Sequence, residues 1–148
     1  MTPHANGLGI EVLRLRPGED LRDVLALVLK PARGDGCEAA SVVSAVGSLS
    51  RAVLRYAAEP DGTVIEGPLE LISLSGTLSP NGVHLHASVA DASGRMRGGH
   101  VMPGCIVRTT AELVVAMLPG WAFRRAHDPE TGYLELQAKR LDEPGTRS

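Results

Sequence analysis

His84 and His86 stand two residues apart, and His100 follows a Gly98-Gly99 pair further along; together they are three of the chain's five histidines. In an extended chain, residues i and i+2 project from one face with α-carbons about 6.5–7 Å apart. Two imidazoles so placed can reach one ion. Three neutral imidazoles suit Zn²⁺ or another late first-row divalent cation, with a fourth position left for water, a carboxylate or a ligand. A hydrolytic zinc centre also needs a general base or electrostatic partner, and Glu70 and Glu112 are the candidates. Either can equally serve as an inter-strand or intersubunit ion-pair partner. Arg51, Arg108 and Arg125 are candidates for holding an anionic ligand, with the same ordinary alternative. A polar strand face also carries histidines simply because it meets solvent, so the short His-x-His spacing alone leaves both readings open. No nucleophile elbow, P-loop or dinucleotide fingerprint occurs, and Gly98-Gly99 is too short for a phosphate cradle.

The elements that must position these residues are mostly strands. Val83, Leu85, Ala87 and Val89 alternate with His84, His86 and Ser88, which predicts a strand over Val83 to Ala90 with the histidines on its polar face. Asp91 to Gly94 turns the chain, and Arg95 to Met102 returns beside it. Symmetric pairing about that turn sets His100 opposite roughly Val83 to His86, and the glycine pair permits a bulge that aims its ring. Upstream, Ser79-Pro80-Asn81-Gly82 suits a type I turn that follows a strand over Leu69 to Leu78. Further strands are expected over Ile10 to Arg16, Ala39 to Gly47, Arg51 to Ala58, Thr63 to Glu66 (ended by Gly67-Pro68), Thr109 to Leu118 (ended by Pro119-Gly120) and Tyr133 to Arg140. One helix interrupts them. Asp20 is its N-cap, and Leu21, Val24, Leu25, Val28 and Leu29 form an apolar stripe. Pro31 stops it near Lys30. Residues 1 to 8 read as a loose lead-in, Arg33 to Gly36 as a loop, and the segment from Asp142 as a polar, frayed tail.

The totals agree with one strand-rich domain. Of 148 residues, 43% are hydrophobic but only 3% aromatic, so Val, Leu, Ile and Ala must fill the core. The formal net charge of −2 offers no global field for a polyanion. Cys37 and Cys105 are too few for a disulfide scaffold and read as small, reduced, partly buried side chains. The N-terminus lacks the pattern of a signal peptide, and no window approaches the roughly 20 apolar residues of a membrane span. A cytoplasmic location is the expectation.

Several ordered motifs carry a more specific likeness. Glu70-Leu-Ile-Ser-Leu-Ser-Gly76, His84-Leu-His86-Ala-Ser-Val-Ala-Asp91, Gly98-Gly-His100 and Thr110-Ala-Glu112 closely resemble the plants-and-prokaryotes-conserved domain. That domain is found beside AT-hooks in plant nuclear-localised proteins and alone in bacteria and archaea. Leu15-Arg-Pro-Gly-Glu-Asp-Leu21, Gly47-Ser-Leu49, and Arg125 with Thr131-Gly132 extend the likeness over about residues 9 to 141. The resemblance implies an α/β (α+β) fold, a mostly antiparallel sheet packed with one main amphipathic helix, assembled as a homotrimer. It also implies a metal, zinc first, on His84, His86 and His100, because some prokaryotic members use the matching histidines. Plant members differ in this region.

Bacterial relatives are often labelled DNA-binding. The Arg-Gly-Arg-Pro core of an AT-hook does not occur here, and the densest basic spots, Arg95-Met-Arg97 and Arg124-Arg125, are short. A trimer could still gather Arg14, Arg16, Arg51, Arg55, Arg95 and Arg97 into one patch. Three function classes therefore stand side by side. They are a trimeric metal-binding domain with a binding or regulatory role, a nucleic-acid-associated regulator, and a small zinc-dependent enzyme acting on an anionic small molecule.

Overall fold

The computed structural model describes residues 7–30 and 36–141. The expected helix stop at Pro31, most of the Arg33 to Gly36 loop, the first six residues of the lead-in and the tail from Asp142 lie outside the described residues. The elements are β1 (Gly9–Leu15), α1 (Leu21–Ala26), β2 (Ala40–Arg55), β3 (Thr63–Ser79), β4 (Gly82–Ala90), β5 (Met96–Val101), β6 (Ile106–Met117), β7 (Trp121–His127) and β8 (Leu134–Arg140). Among the described residues the fold is the expected mostly antiparallel sheet, with a single short helix.

Six strands form one sheet in the order β1-β6-β2-β3-β4-β5, and β7 and β8 form a separate two-stranded ribbon. The sheet also closes on itself. β6 pairs with β2 along Ala40 to Arg51, and past that point β5 takes the same edge, with Leu54 opposite Val101 and Arg55 opposite His100. This closure brings β5 to both β4 and β2. The inner face is aliphatic: Leu15, Leu49, Leu54, Leu78, Leu85, Leu113, Val89, Val101, Val107 and Val115 are all nearly inaccessible. Phe123 is the aromatic contributed to the buried set.

α1 begins as anticipated and ends earlier. The Asp20 carboxylate accepts the N–H groups of Arg22 and Asp23 with one oxygen and that of Gly104 with the other, at 2.8, 3.2 and 2.6 Å. The cap thus ties the helix start to the β5–β6 connection. After Ala26 the bonds tighten to the i→i−3 kind, Leu27 to Val24, Val28 to Leu25 and Lys30 to Leu27, a 3₁₀-like finish. That tighter winding still buries Val28 and Leu29 with Leu21 and Leu25.

The strands differ from the sequence reading in several places. Ala39 to Gly47 and Arg51 to Ala58 join into the single long β2, because Gly47-Ser48-Leu49 is absorbed as a register shift against β6. There the Ser48 hydroxyl is 2.6 Å from Thr109 Oγ1, so the irregularity leaves no orphaned polar group. Thr63 to Glu66 and Leu69 to Leu78 likewise join into β3. Gly67 and Pro68 sit where the register moves from Leu49↔Leu69 to Arg51↔Glu66, a bulge that accommodates a residue with no N–H. No bulge occurs at Gly98-Gly99, since β4 and β5 pair in unbroken register from His86↔His100 to Ala90↔Met96. β7 was not anticipated. Its residues Trp121 to His127 lack regular alternation, being stabilised by pairing with β8 and by Phe123 turning inward.

Candidate metal centre

The histidines owe their meeting to strand parity and to closure of the sheet. On β4, Val83, Leu85, Ala87 and Val89 are buried, which turns His84, His86 and Ser88 to the outer face. The turn before β5 is held by Asp91, whose carboxylate accepts the N–H of Ser93, the hydroxyl of Ser93 and the N–H of Arg95. Its length sets His100 directly opposite His86. Gly99 serves a different purpose from the one expected. A β-carbon there would lie 2.7 Å from the Arg55 carbonyl oxygen, so a residue without a side chain is required where β5 meets β2. Gly76, at φ 149°, plays the same part behind His84, whose carbonyl occupies the space of a would-be β-carbon.

One ring nitrogen from each of His84, His86 and His100 lies within 4.8 Å of the others. His84 Nε2 and His86 Nε2 are 3.2 Å apart, and the ring centroids are separated by 4.9, 5.1 and 5.7 Å. Zinc–nitrogen bonds of about 2.0–2.1 Å imply a tetrahedral nitrogen–nitrogen edge of about 3.3–3.4 Å. The His84–His86 pair already matches that edge, while the widest spacing, up to 4.8 Å, is looser than it. The protonation chemistry fits as well. Burial, then the charge of Arg125, lowers the pKa of His84. Burial, then Arg55, lowers that of His100 to about 4. Both rings are therefore neutral donors near pH 7. The donor set and its spacing suit a zinc-like cation.

Arg125 completes the surroundings. Its Nη2 is 3.1 Å from His84 Nδ1 and donates to the Leu134 carbonyl at 3.2 Å. A guanidinium can only donate, so in the metal-free chain His84 Nδ1 is the acceptor and the ring proton lies on Nε2, toward His86; a metal on Nε2 requires the other tautomer, with the Arg125 guanidinium released from Nδ1. The Arg125 backbone exchanges two 2.9 Å hydrogen bonds with the Asn81 side chain, which pins β7 to the β3–β4 turn. From below, Arg22 Nη1 donates to the Val83 and Val101 carbonyls at 3.2 and 3.3 Å, bridging β4 and β5 beside the histidines. A cavity of about 500 Å³ opens among Arg22, Arg55, His84, His100, Arg125 and Glu135.

The other candidates are elsewhere. Glu70 pairs with Ala90 at the far end of β4, while His84 pairs with Thr77, so about 20 Å of strand separates them. Glu112 lies on β6 between Arg14 and Val46, three strand spacings from β4. Arg51 makes an exposed 3.4 Å ion pair with Glu66, and Arg108 is exposed on β6. The structure thus joins Arg125 to the histidines and leaves Glu70, Glu112, Arg51 and Arg108 apart. Sequence reasoning did not single out Arg22 or Glu135 and gave Arg55 no place beside the histidines. Only the closure of β2 on β5 exposes that role for Arg55, and no local pattern marks the other two. Cys105 is buried and Cys37 half-buried. Burial pushes the Cys105 thiol pKa up.

A closed antiparallel sheet bearing a three-histidine corner on its outer face defines a small β-rich domain with a metal-type donor set. The chain belongs to the Plants and Prokaryotes Conserved domain family, whose model matches residues 3–119. It is 48% identical over 136 residues to the bifunctional protein GlmU of Synechococcus sp. strain JA-3-3Ab, covering 92% of this chain but 21% of that protein. This chain thus spans about a fifth of that relative's length. It is 30% identical over 117 residues to AT-hook motif nuclear-localized protein 20 of Arabidopsis thaliana, covering 75% of this chain and 40% of that one. A hypothetical protein of Salmonella enterica superposes with a TM-score of 0.84 at 40% identity, over 93% of this chain and 97% of the other. A metal-containing protein of Archaeoglobus fulgidus superposes with a TM-score of 0.69 at 30% identity, over 87% and 93%. No helix among the described residues is long and apolar enough to cross a membrane.

Proposed function

We propose that this chain is a metal-binding domain with a binding or regulatory role, holding zinc on His84, His86 and His100. The observation that carries the reading is the convergence of three ring nitrogens, from two adjacent strands, within 4.8 Å. The similarity to a metal-containing archaeal protein supports it. Zinc, when bound, would act as a Lewis acid and lower the pKa of a coordinated water. The chain's own contribution is to hold three neutral imidazoles on a rigid pair of strands, with Arg22 fixing the strands' separation. Elemental analysis of protein purified in zinc-supplemented medium tests the reading. About one zinc per chain is expected, and none after supplementation would remove it.

The same reading includes self-association as a homotrimer. Its support is an apolar outer surface over β1, β6 and β2, where Ile10, Val12, Val43 and Val46 are 55%, 72%, 60% and 59% exposed. Exposed aliphatics gathered on neighbouring strands, here interspersed with Arg14 and Glu112, suit an interaction surface. Analytical ultracentrifugation should give three chains per particle, and Val12→Asp with Val46→Asp should give monomers. A wild-type particle of one chain would end that part of the proposal.

A second reading, a zinc-dependent enzyme, is favoured by one observation. Glu135 lines the same cavity as His84 and His100, offering a carboxylate where Glu70 and Glu112 are remote. Zinc-dependent ester hydrolysis that disappears in Glu135→Gln, with metal retained, would establish it. DNA association is supported by likeness to the Arabidopsis AT-hook protein. A salt-sensitive gel shift tests it, and the formal charge of −2 argues for weak binding.

A further inference from the structure

We infer that the histidine corner is the floor of a binding site for a small oxyanion, a molecule bearing a carboxylate or phosphate group, and that Arg55 and Arg125 are the residues that take it. The inference rests on the metal-centre reading for the site's location but not for the anion's principal partners.

Arg55 is the cation with charge to spare. It is half-buried at the end of β2, directly opposite His100, and among the described residues its side chain has no hydrogen-bond or ion-pair partner. It borders two cavities, one of about 500 Å³ shared with Arg125 and one of about 630 Å³ shared with His86. His84, His100 and Tyr133 border both as well, so the two cavities meet over the histidines. Volumes of this order suit small molecules rather than a duplex. Arg125, on β7, lines the smaller of these cavities together with Arg55, and its backbone is held by reciprocal bonds to Asn81.

The charge balance of the smaller cavity is lopsided. Arg22, Arg55 and Arg125 face a single carboxylate, Glu135, which accepts a hydrogen bond from the Thr131 hydroxyl rather than pairing with an arginine. Arg22 is consumed structurally by two backbone carbonyls. Arg125 spends only one terminal nitrogen, on His84 and Leu134. The planar donor arrays left on Arg55 and Arg125 match the geometry of a carboxylate or phosphate. An oxyanion between them lies above the histidines, where a divalent cation would add to its hold.

Calorimetric titration with methyl phosphate and with malonate, on zinc-loaded and on chelator-treated protein, tests this. Saturable binding of at least one of the two is expected, tighter with zinc, and weakened ten-fold or more in Arg55→Gln and in Arg125→Gln. Which probe binds tighter distinguishes phosphate from carboxylate ligands. Should Arg125→Gln fail to fold, Arg55→Gln carries the test alone, since its side chain supports no other group. Binding that depends on the arginines in protein unable to hold zinc would uphold the inference and refute the metal reading. Zinc-loaded protein that binds neither probe, binding undiminished in Arg55→Gln, or arginine-dependent binding of a DNA duplex in place of both probes would overturn it.

Discussion

Two stretches of the outer sheet face carry charged side chains, and only one of them has become a site. Over β1, β6 and the first part of β2, Arg14, Glu112 and Val46 lie side by side in paired register, with Val12 two residues further along β1, and all face away from the core. Around His84 and His86 the same parity applies, but other parts of the chain arrive on top. β2 closes against β5 at Arg55, β7 brings Arg125, and α1 sends Arg22 to the strand carbonyls. The consequence is half-burial, which holds two imidazoles neutral, and a cavity with several donors aimed inward. Residue type is therefore a poor guide by itself. Glu112 has as good a chemical claim as His100, yet it lacks converging partners from distant segments.

The largest effect should come from the histidines. His84→Ala with His86→Ala is expected to reduce bound zinc from about one per chain to background by elemental analysis, while Glu70→Gln with Glu112→Gln leaves it unchanged. Loss of zinc in the glutamate variant would erase the contrast between the two stretches.

Next in size is the closure that creates the corner. Gly99→Val places side-chain atoms against the Arg55 carbonyl, and Gly76→Ala against the His84 carbonyl. Each is expected to cost about 2 kcal/mol or more in denaturant unfolding, as over-packing does. Gly120→Ala, with no atom within 4 Å of the added β-carbon, should stay within about 0.5 kcal/mol. An innocuous Gly99→Val would mean that β5 does not need its close approach to β2.

A smaller effect should appear with pH in metal-free protein. His84 and His100 have lowered folded pKa values, about 4 for His100, against about 6.5 in the unfolded chain. Between those values the unfolded state binds more protons, so stability rises with pH. The contribution is complete above about pH 6.5 and is lost as pH falls toward about 4. A melting temperature lower by a few degrees at pH 4.5 than at pH 7 is expected, and His100→Gln should flatten that dependence. An unchanged slope in His100→Gln would show that the corner is not the titrating element.

Much of this arrangement was legible in local pattern. Alternation from Val83 to Val89 marked which face His84 and His86 take, and the short turn at Asp91 placed His100 opposite roughly Val83 to His86, a range the structure narrows to His86. Asp20 was legible as a cap because its carboxylate precedes an apolar stripe. What stayed hidden depends on long-range pairing. Arg55 looks like any residue of an alternating strand until β2 is seen to change partners from β6 to β5. Gly98-Gly99 reads as permission for a bulge, because sequence shows the missing side chains and not the backbone that fills their place. Arg22, bonded across more than sixty residues to the Val83 carbonyl, has no local mark of its role. The ribbon residues Arg125 and Glu135 depend on β7, whose strand character comes from its partner rather than its own periodicity.

The smallest expected effect sits at Arg51, and it bears directly on the contrast between the two stretches. Arg51 shares the outer face of β2 with Arg55, and by residue type the two are equal candidates for an anion. Arg51 meets Glu66 at 3.4 Å with side chains 48% and 73% exposed, so its charge is already balanced and solvated. Exposed pairs of this kind contribute roughly 0–1 kcal/mol. Arg51→Ala should therefore shift the melting temperature by no more than about 2 °C, less at high salt, and leave zinc content and oxyanion affinity as they were. Arg55→Gln should instead leave the fold intact and weaken the anion. If Arg51→Ala weakened it equally, long-range field rather than convergence would govern the site, because a remote, paired charge would then act like an unpaired neighbour of His100.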